Sequence, residues 1–222
     1  MRLTVLYDDE YLLCVIKPAG IPSEGDGMPR FIGEYLSEAG SGASPYVGVI
    51  HRLDRDVSGV MVFAKREKTA AALSGMIARR EFGKEYLAVV TGETDAEGEM
   101  RDLLYHDKGR NKTFVVKRPR RGVREASLDY RTLAVRTGED SVRSLVHVRL
   151  HTGRTHQIRV QFASRRHPLL GDGKYGGGKG KIALFSHKIT FVHPADGREM
   201  VFSALPHRAD AWADFDIESL LI

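Results

Sequence analysis

The run "GVIHRLDRDVSGVMVFAK", Gly48 to Lys65, constrains the fold of this chain more than any other stretch, because it sets His51, Arg52, Asp54, Arg55 and Asp56 inside an otherwise apolar segment. Gly59 to Ala64 is almost wholly apolar, the pattern of a strand covered on both faces, whereas His51 to Ser58 is too polar for that and reads as a turn entering the strand. On spacing alone, Arg52, Asp54, Arg55 and Asp56 read first as a surface ion-pair cluster worth little energy. A metal site is the weaker reading: His51 and Asp54 offer two ligands and no third follows at a recognisable spacing.

The rest of the chain is mostly strand. Runs rich in β-branched residues recur at "LTVLY", "YLLCVIK", "GVMVFAK", "EYLAVV", "SLDYRTLAV", "SLVHVRL" and "KITFV", and "VHPADGREMVF" reads as a hairpin turning at Asp196-Gly197. Helical patterns are fewer: "EKTAAALSGMIARREF", and "THQIRVQFASRR", where Ile158 and Phe162 stand four apart and Thr155 is placed to cap. That balance predicts an α+β fold with a mixed or antiparallel sheet. The 222 residues suffice for one sizeable core, and no repeat or linker divides them. Cys14, the only cysteine, lies in an apolar run, which excludes a disulfide framework and a cysteine-based zinc site and fits a reducing cytosol. No apolar segment approaches the roughly 18 residues of a membrane span, so the expectation is a soluble, cytoplasmic protein with no membrane partner.

Charge is informative through its placement. Lysine and arginine number 34 against 29 acidic residues, a surplus of +5. Eight basic residues and no acid fall between Lys108 and Arg124, among them Lys117, Arg118, Arg120 and Arg121, while Asp210, Asp214, Asp216 and Glu218 gather in the tail. Such a run reads first as a solvated loop; Phe114 and the glycines within it favour a flexible arm on a nucleic-acid backbone. The stretch "HTGRTHQIRVQFASRRH" holds Arg154, Arg159, Arg165 and Arg166, with no acid between Leu150 and Gly171. At a helix N-terminus it can take phosphate or a carboxylate from elsewhere in the chain, or it can be a solvated basic face. Tyr86, in "GKEYLAVVTG", alternates with Glu85 and Leu87, and a lone strand tyrosine is usually core. "GDGKYGGGKGK" lacks the order of a nucleotide-binding phosphate loop and reads as a flexible or tight-turn segment.

Taken in order, "YDDEYLLCVIKPAGIPSEG", "HRLDRDVSGVMVFAK", "KEYLAVVTG", "TGRTHQIRVQFA", "LLGDGKYGG" and "ITFVHP" closely resemble the successive motifs of the RNA pseudouridine synthases of the RluA type, over about Tyr7 to Pro206. The resemblance implies a bent, mixed, largely antiparallel sheet with flanking helices and a central active-site cleft. It also implies a single catalytic domain over residues 1–222 with no separate N-terminal RNA-binding domain. The implied reaction breaks the N-glycosidic bond of a uridine in ribosomal or transfer RNA, rotates the uracil and rejoins it through carbon, with no cofactor and no metal, in a monomer.

Residue by residue, the resemblance makes Asp54 the catalytic aspartate, which attacks the sugar or abstracts its 2′ proton. Arg159 would hold that carboxylate ionised in a water-excluding cleft. Tyr86 would stack on the uracil and can take the proton from its ring carbon. Arg52 would enter the RNA stack as the target base is extruded, with His51, Arg154 and Leu184 as further substrate contacts. The basic run, with Lys117, Arg118, Arg120 and Arg121, would grip RNA as a mobile loop. Phe185 and Ser186 stand where many members have His and Ala, and Gln161 where a histidine is usual. Two rivals remain at this stage: a non-catalytic RNA-binding or RNA-folding module on the same fold, and a glycosidase with an aspartate nucleophile.

Overall fold

The structure, a computed structural model, describes residues 2–40, 45–138 and 141–221. It comprises two compact units, Met1–Lys84 with Ser186–Ala204, and Glu85–Phe185 with Leu205–Ile222.

The first unit carries β1 (Thr4–Asp8), β2 (Leu12–Lys17), α1 (Met28–Glu38), β3 (Gly48–Val49), β4 (Ser58–Ala64) and α2 (Glu67–Ala78). The return of the chain supplies β10 (Leu184–Val192, from Ser186 onwards) and β11 (Glu199–Ser203). Strand order is β1-β2-β4-β10, with β3 paired to β4 and β11 to β10. β2 and β4 are apolar almost end to end and nearly every residue is buried, as central strands covered on both faces require. They run antiparallel with Leu12 opposite Ala64 and Lys17 opposite Gly59. Val60, Val62, Leu73, Ile189 and Phe191 close the core with them, and Phe82 stacks on Phe191 at 5.2 Å. The hairpin expected at Asp196-Gly197 is present between β10 and β11, with Gly197 at φ 74°, though six residues separate the paired Val192 and Glu199.

Helix α1 was not foreseen, because Gly25, Gly27, Pro29 and Gly33 punctuate it like a loop. Its signal was present in Met28, Ile32 and Leu36, four apart and all buried, with the proline in the first turn where its missing N–H costs nothing.

The second unit is built on β5 (Gly83–Thr91, from Glu85 onwards), β6 (Glu97–Asp107), β7 (Lys112–Val116), β8 (Val123–Thr137) and β9 (Val142–Leu150), in the order β5-β9-β8-β6-β7. Its ladders β5–β9, β9–β8, β8–β6 and β6–β7 are antiparallel. Helix α3 (Gln157–Ser164), one turn of 3₁₀ helix (Asp210–Trp212) and α4 (Ile217–Leu220) complete it. The acidic tail is tied down here: Asp214 pairs with Arg143 at 3.0 Å and Asp210 with Lys181 at 3.1 Å, while Phe215 and Ile217 pack on Leu87, Val89 and Leu145. Burying side chains of that size stabilises by about 2 kcal/mol each, so the apolar residues hold the tail and the exposed ion pairs add little. The class is α+β, with a largely antiparallel sheet and few helices, as the sequence predicts.

Gly59 shows how tightly the first unit is closed. Its φ is 128°, and a β-carbon there would lie 2.4 Å from the Ser186 carbonyl oxygen and 2.5 Å from its nitrogen. Gly33, within α1, has nothing within 4 Å of a built β-carbon. Gly59→Ala is expected to cost more than about 2 kcal/mol in equilibrium urea unfolding, whereas Gly33→Ala stabilises by about 0.5 kcal/mol.

Candidate active site

The turn that carries Asp54 is held from several sides by side chains that the residue pattern gave no reason to single out. Lys17 ends β2 with none of its surface exposed, and its Nζ donates to the carbonyls of Pro18 (2.8 Å), Arg55 (3.0 Å) and Val57 (2.7 Å). Burial pulls this ammonium down to about 8, while Asp56 and Asp54 favour its charged form. Three acceptors match the three protons of an ammonium, so the protonated lysine is the form that satisfies the site. Ser23 brackets Leu53, its Oγ donating to the Leu53 carbonyl (2.8 Å) and accepting from the Leu53 N–H (3.0 Å). The Gly20 N–H donates to the Arg55 carbonyl, and Val57 N–H closes the turn on the Asp54 carbonyl. With Leu53 and Val57 buried, Asp54 is left half-buried on a turn whose backbone partners are spoken for.

Two of the charged side chains find partners outside this segment: Arg52 pairs with Glu24 at 2.7 Å, and Arg55 Nε donates to the Gly20 carbonyl. The His51 ring is buried against Phe82 and its Nε2 accepts the Val62 N–H (3.0 Å). An acceptor Nε2 puts the proton of the neutral ring on Nδ1, which is buried without a hydrogen-bond partner among the described residues. His51 therefore fixes the turn to β4.

In the second unit Tyr86 and Leu87 are both buried on β5, so the alternation resolves with neither turned to solvent; Tyr86 faces Val148 across the ladder to β9. Arg159 lies on α3 and is 5% exposed. Its guanidinium makes a two-pronged bond with Asp172, Nε to Oδ2 at 2.6 Å and Nη2 to Oδ1 at 2.9 Å, and Asp172 is wholly buried. The acid-free basic stretch thus recruits a carboxylate, and it is the first one past the stretch. Arg165 does likewise with Asp102 at 2.8 Å, to which Gln161 Nε2 also donates at 2.7 Å. Arg154 donates through Nε to the Glu125 carbonyl. Thr155 does not cap α3: the cap position is His156, in the left-handed region at φ 55° with no side-chain capping bond, and the Thr155 carbonyl instead accepts from Thr113 Oγ1. Leu184 and Phe185 are buried; Ser186, in the first unit, gives its hydroxyl to the Val60 carbonyl and its backbone to the close approach at Gly59.

The basic run is not one flexible arm. Lys112–Val116 forms strand β7, paired in register with β6 from Leu103↔Val116 to Asp107↔Lys112, so Lys108 and Arg110 precede the strand, Lys112 begins it, Lys117, Arg118, Arg120 and Arg121 lie in the connection after it, and Arg124 is on β8. The β-branched Thr113, Val115 and Val116 around Phe114 are the strand signal that the flanking charges concealed. Lys117, Arg118, Arg120 and Arg121 are exposed in the second segment, where Arg120 lies 4.5 Å from the Tyr105 ring.

Comparison with known proteins defines the class of protein that this α+β frame belongs to. The sequence model of the family described as RNA pseudouridylate synthase matches residues 11–164. The ribosomal large subunit pseudouridine synthase D of Zymomonas mobilis is 31% identical over 222 residues, covering 91% of this chain and 68% of the relative. The RNA pseudouridine synthase YhcT of Bacillus subtilis is 34% identical, covering 94% and 70%. Human RNA pseudouridylate synthase domain containing 4 shares the fold at a TM-score of 0.75 and 23% identity, over 92% of this chain and 89% of that one. This chain belongs to the RNA pseudouridylate synthase family. It is an isomerase that converts uridine in RNA to pseudouridine. Among the described residues no helix is long and apolar enough to cross a membrane.

Burial holds the His51 imidazole down at about 3, with Lys84 adding to the effect, against an ordinary 6.5. As pH falls through 6.5 the unfolded chain takes up a proton at His51 and the folded chain does not, so acid favours unfolding. Stability is expected to fall with a slope approaching 1.4 kcal/mol per pH unit from this group between about 6.5 and 3. His51→Gln, which keeps an acceptor for Val62, removes that slope in urea unfolding titrated from pH 7 to pH 4.

Proposed function

We propose that residues 1–222 act as one catalytic domain, a cytoplasmic monomer that isomerises uridines in ribosomal RNA, with Asp54, Tyr86 and Arg159 as its reacting and supporting groups. The observation that carries this reading is the Asp54 turn: its backbone is held by Lys17, Ser23 and Gly20, which fixes the position of a half-buried carboxylate. The family match supports one functional domain because it runs across the boundary between the two units. Ribosomal RNA is favoured over transfer RNA because relatives from Zymomonas mobilis and Xanthomonas campestris carry that substrate in their names.

The chemistry is redox-neutral and atom-balanced. The N1–C1′ bond breaks, a C5–C1′ bond forms, the C5 proton leaves, and N1 gains one, so product and substrate have equal mass. Asp54 starts it by attacking C1′ or by removing the 2′ proton. Tyr86, buried on β5, offers a ring for the uracil and a hydroxyl for the C5 proton. Arg159 supplies the permanent cation that the ionised acid needs in a dry site. Arg52 is exposed and bound to Glu24 through a bond weak enough to exchange for RNA. Leu184 and Arg154 complete the substrate contacts.

In 5-tritiated uridine RNA, Asp54→Asn is expected to lower the rate of tritium release at least about 1,000-fold with folding intact; release at the wild-type rate removes Asp54 from the mechanism. Conversion without change of nucleoside mass separates isomerisation from base hydrolysis. Replacing Lys117, Arg118, Arg120 and Arg121 by glutamine is expected to weaken RNA binding and flatten its salt dependence by about 0.7 in log–log slope for each lost phosphate contact. An unchanged slope returns those residues to solvent.

A further inference from the structure

The glycine-rich segment "LLGDGKYGG" is built to a purpose that the reaction as described above does not use. Asp172 and Tyr175 both project from it onto Arg159. Asp172, with no exposed surface, holds the Nε and Nη2 edge of the guanidinium at 2.6 and 2.9 Å. The Tyr175 ring lies 5.2 Å from the Arg159 guanidinium carbon. Its hydroxyl accepts the Thr113 N–H at 2.8 Å, which leaves its own proton for His156 Nδ1 at 2.9 Å. Thr113 belongs to β7 in the basic run, and its Oγ1 donates to the Thr155 carbonyl just ahead of α3.

The turn itself is closed tightly enough to fix both side chains. Gly171 N–H donates to the Gly177 carbonyl, Gly177 N–H and Tyr175 N–H both donate to the Asp172 carbonyl, and the Lys174 N–H donates to Asp172 Oδ1. A β-carbon on Gly177 would stand 1.7 Å from the Leu169 carbonyl oxygen, so only glycine closes this loop. A guanidinium is a planar fork: holding one edge sets the plane and the direction of every remaining donor.

We propose that Asp172 and Tyr175 are positioning residues for Arg159: Asp172 sets the orientation of the guanidinium, and Tyr175 ties that orientation to the strand of the basic run. The proposal rests on the reading that Arg159 supports the reaction. It assigns a function to the glycine-rich motif, and it makes Arg159 a group whose direction is set before substrate arrives. A displacement of about 1 Å in a supporting group lowers a rate by roughly 100-fold.

The test is single-turnover pseudouridylation with enzyme in excess over RNA, which separates the rate constant at saturation from the fraction of enzyme that is folded. Asp172→Asn keeps the shape and removes the charge and one acceptor; its saturating rate constant is expected to fall about 100-fold while RNA affinity stays within about threefold. Tyr175→Phe keeps the ring over Arg159 and loses only the hydroxyl, with an expected fall of about fivefold. A structural role alone lowers the melting temperature and the folded fraction and leaves the saturating rate constant at the wild-type value; that result, or a loss wholly in RNA affinity, overturns the proposal. Should Asp172→Asn fail to fold, Tyr175→Phe decides it by the same criterion. Arg159→Lys, measured in parallel, keeps the two readings apart: full activity there refutes the function proposed for Arg159, whereas an inactive Arg159→Lys beside a fully active Asp172→Asn refutes the positioning role.

Discussion

Three backbone carbonyls, two of them from the segment that bears Asp54, converge on the buried ammonium of Lys17. The architecture of the first unit follows from that demand. A turn that brings a carboxylate to the edge of a buried strand also brings peptide groups out of water, and each unpaired one costs on the order of 1–3 kcal/mol. Here a cation at the end of β2 satisfies the carbonyls, Ser23 satisfies Leu53, and His51 pins the start of the turn to β4. Asp54 and Asp56 favour the charged form of Lys17, so the acidic turn stabilises the cation that clamps it.

The second unit also buries a cation, but meets it with a carboxylate in place of carbonyls. Arg159 on α3 requires a carboxylate with good geometry, and a glycine-rich turn delivers Asp172 to it. Removing either partner of such a pair leaves an uncompensated charge in the interior, so the pair behaves as one piece of structure. Tyr175 extends it to His156 and to Thr113, joining the arginine, the start of α3 and the strand within the basic run. The left-handed His156 belongs to this arrangement: its φ of 55° is costly for a histidine and persists where surrounding bonds hold it.

Departures from the usual motif find structural places. Ser186, where alanine is common, turns its hydroxyl to the Val60 carbonyl and remains fully buried without an orphaned polar group. Gln161, where a histidine is common, bonds Asp102 alongside Arg165. Neither residue removes a group assigned to the reaction.

The residue pattern alone determined the buried strands β2, β4 and β5, the polar turn between His51 and Ser58, and the α+β class, because apolar runs bounded by polar turns leave a chain few ways to pack. Motif order determined the family. Helix α1 and strand β7 stayed hidden because glycines and lysines dominate the local signal while three or four apolar contacts decide the structure. Lys17 and Asp172 were equally illegible: a lysine at the end of an apolar run and an aspartate among glycines look like ordinary chain punctuation. Their roles depend on which carbonyls and which guanidinium lie within 3 Å, at sequence separations of up to 40 residues for Lys17 and of 13 for Asp172. Only the tertiary structure decides such pairings, since hydrogen bonds and buried charges are satisfied in space and leave no period in the sequence.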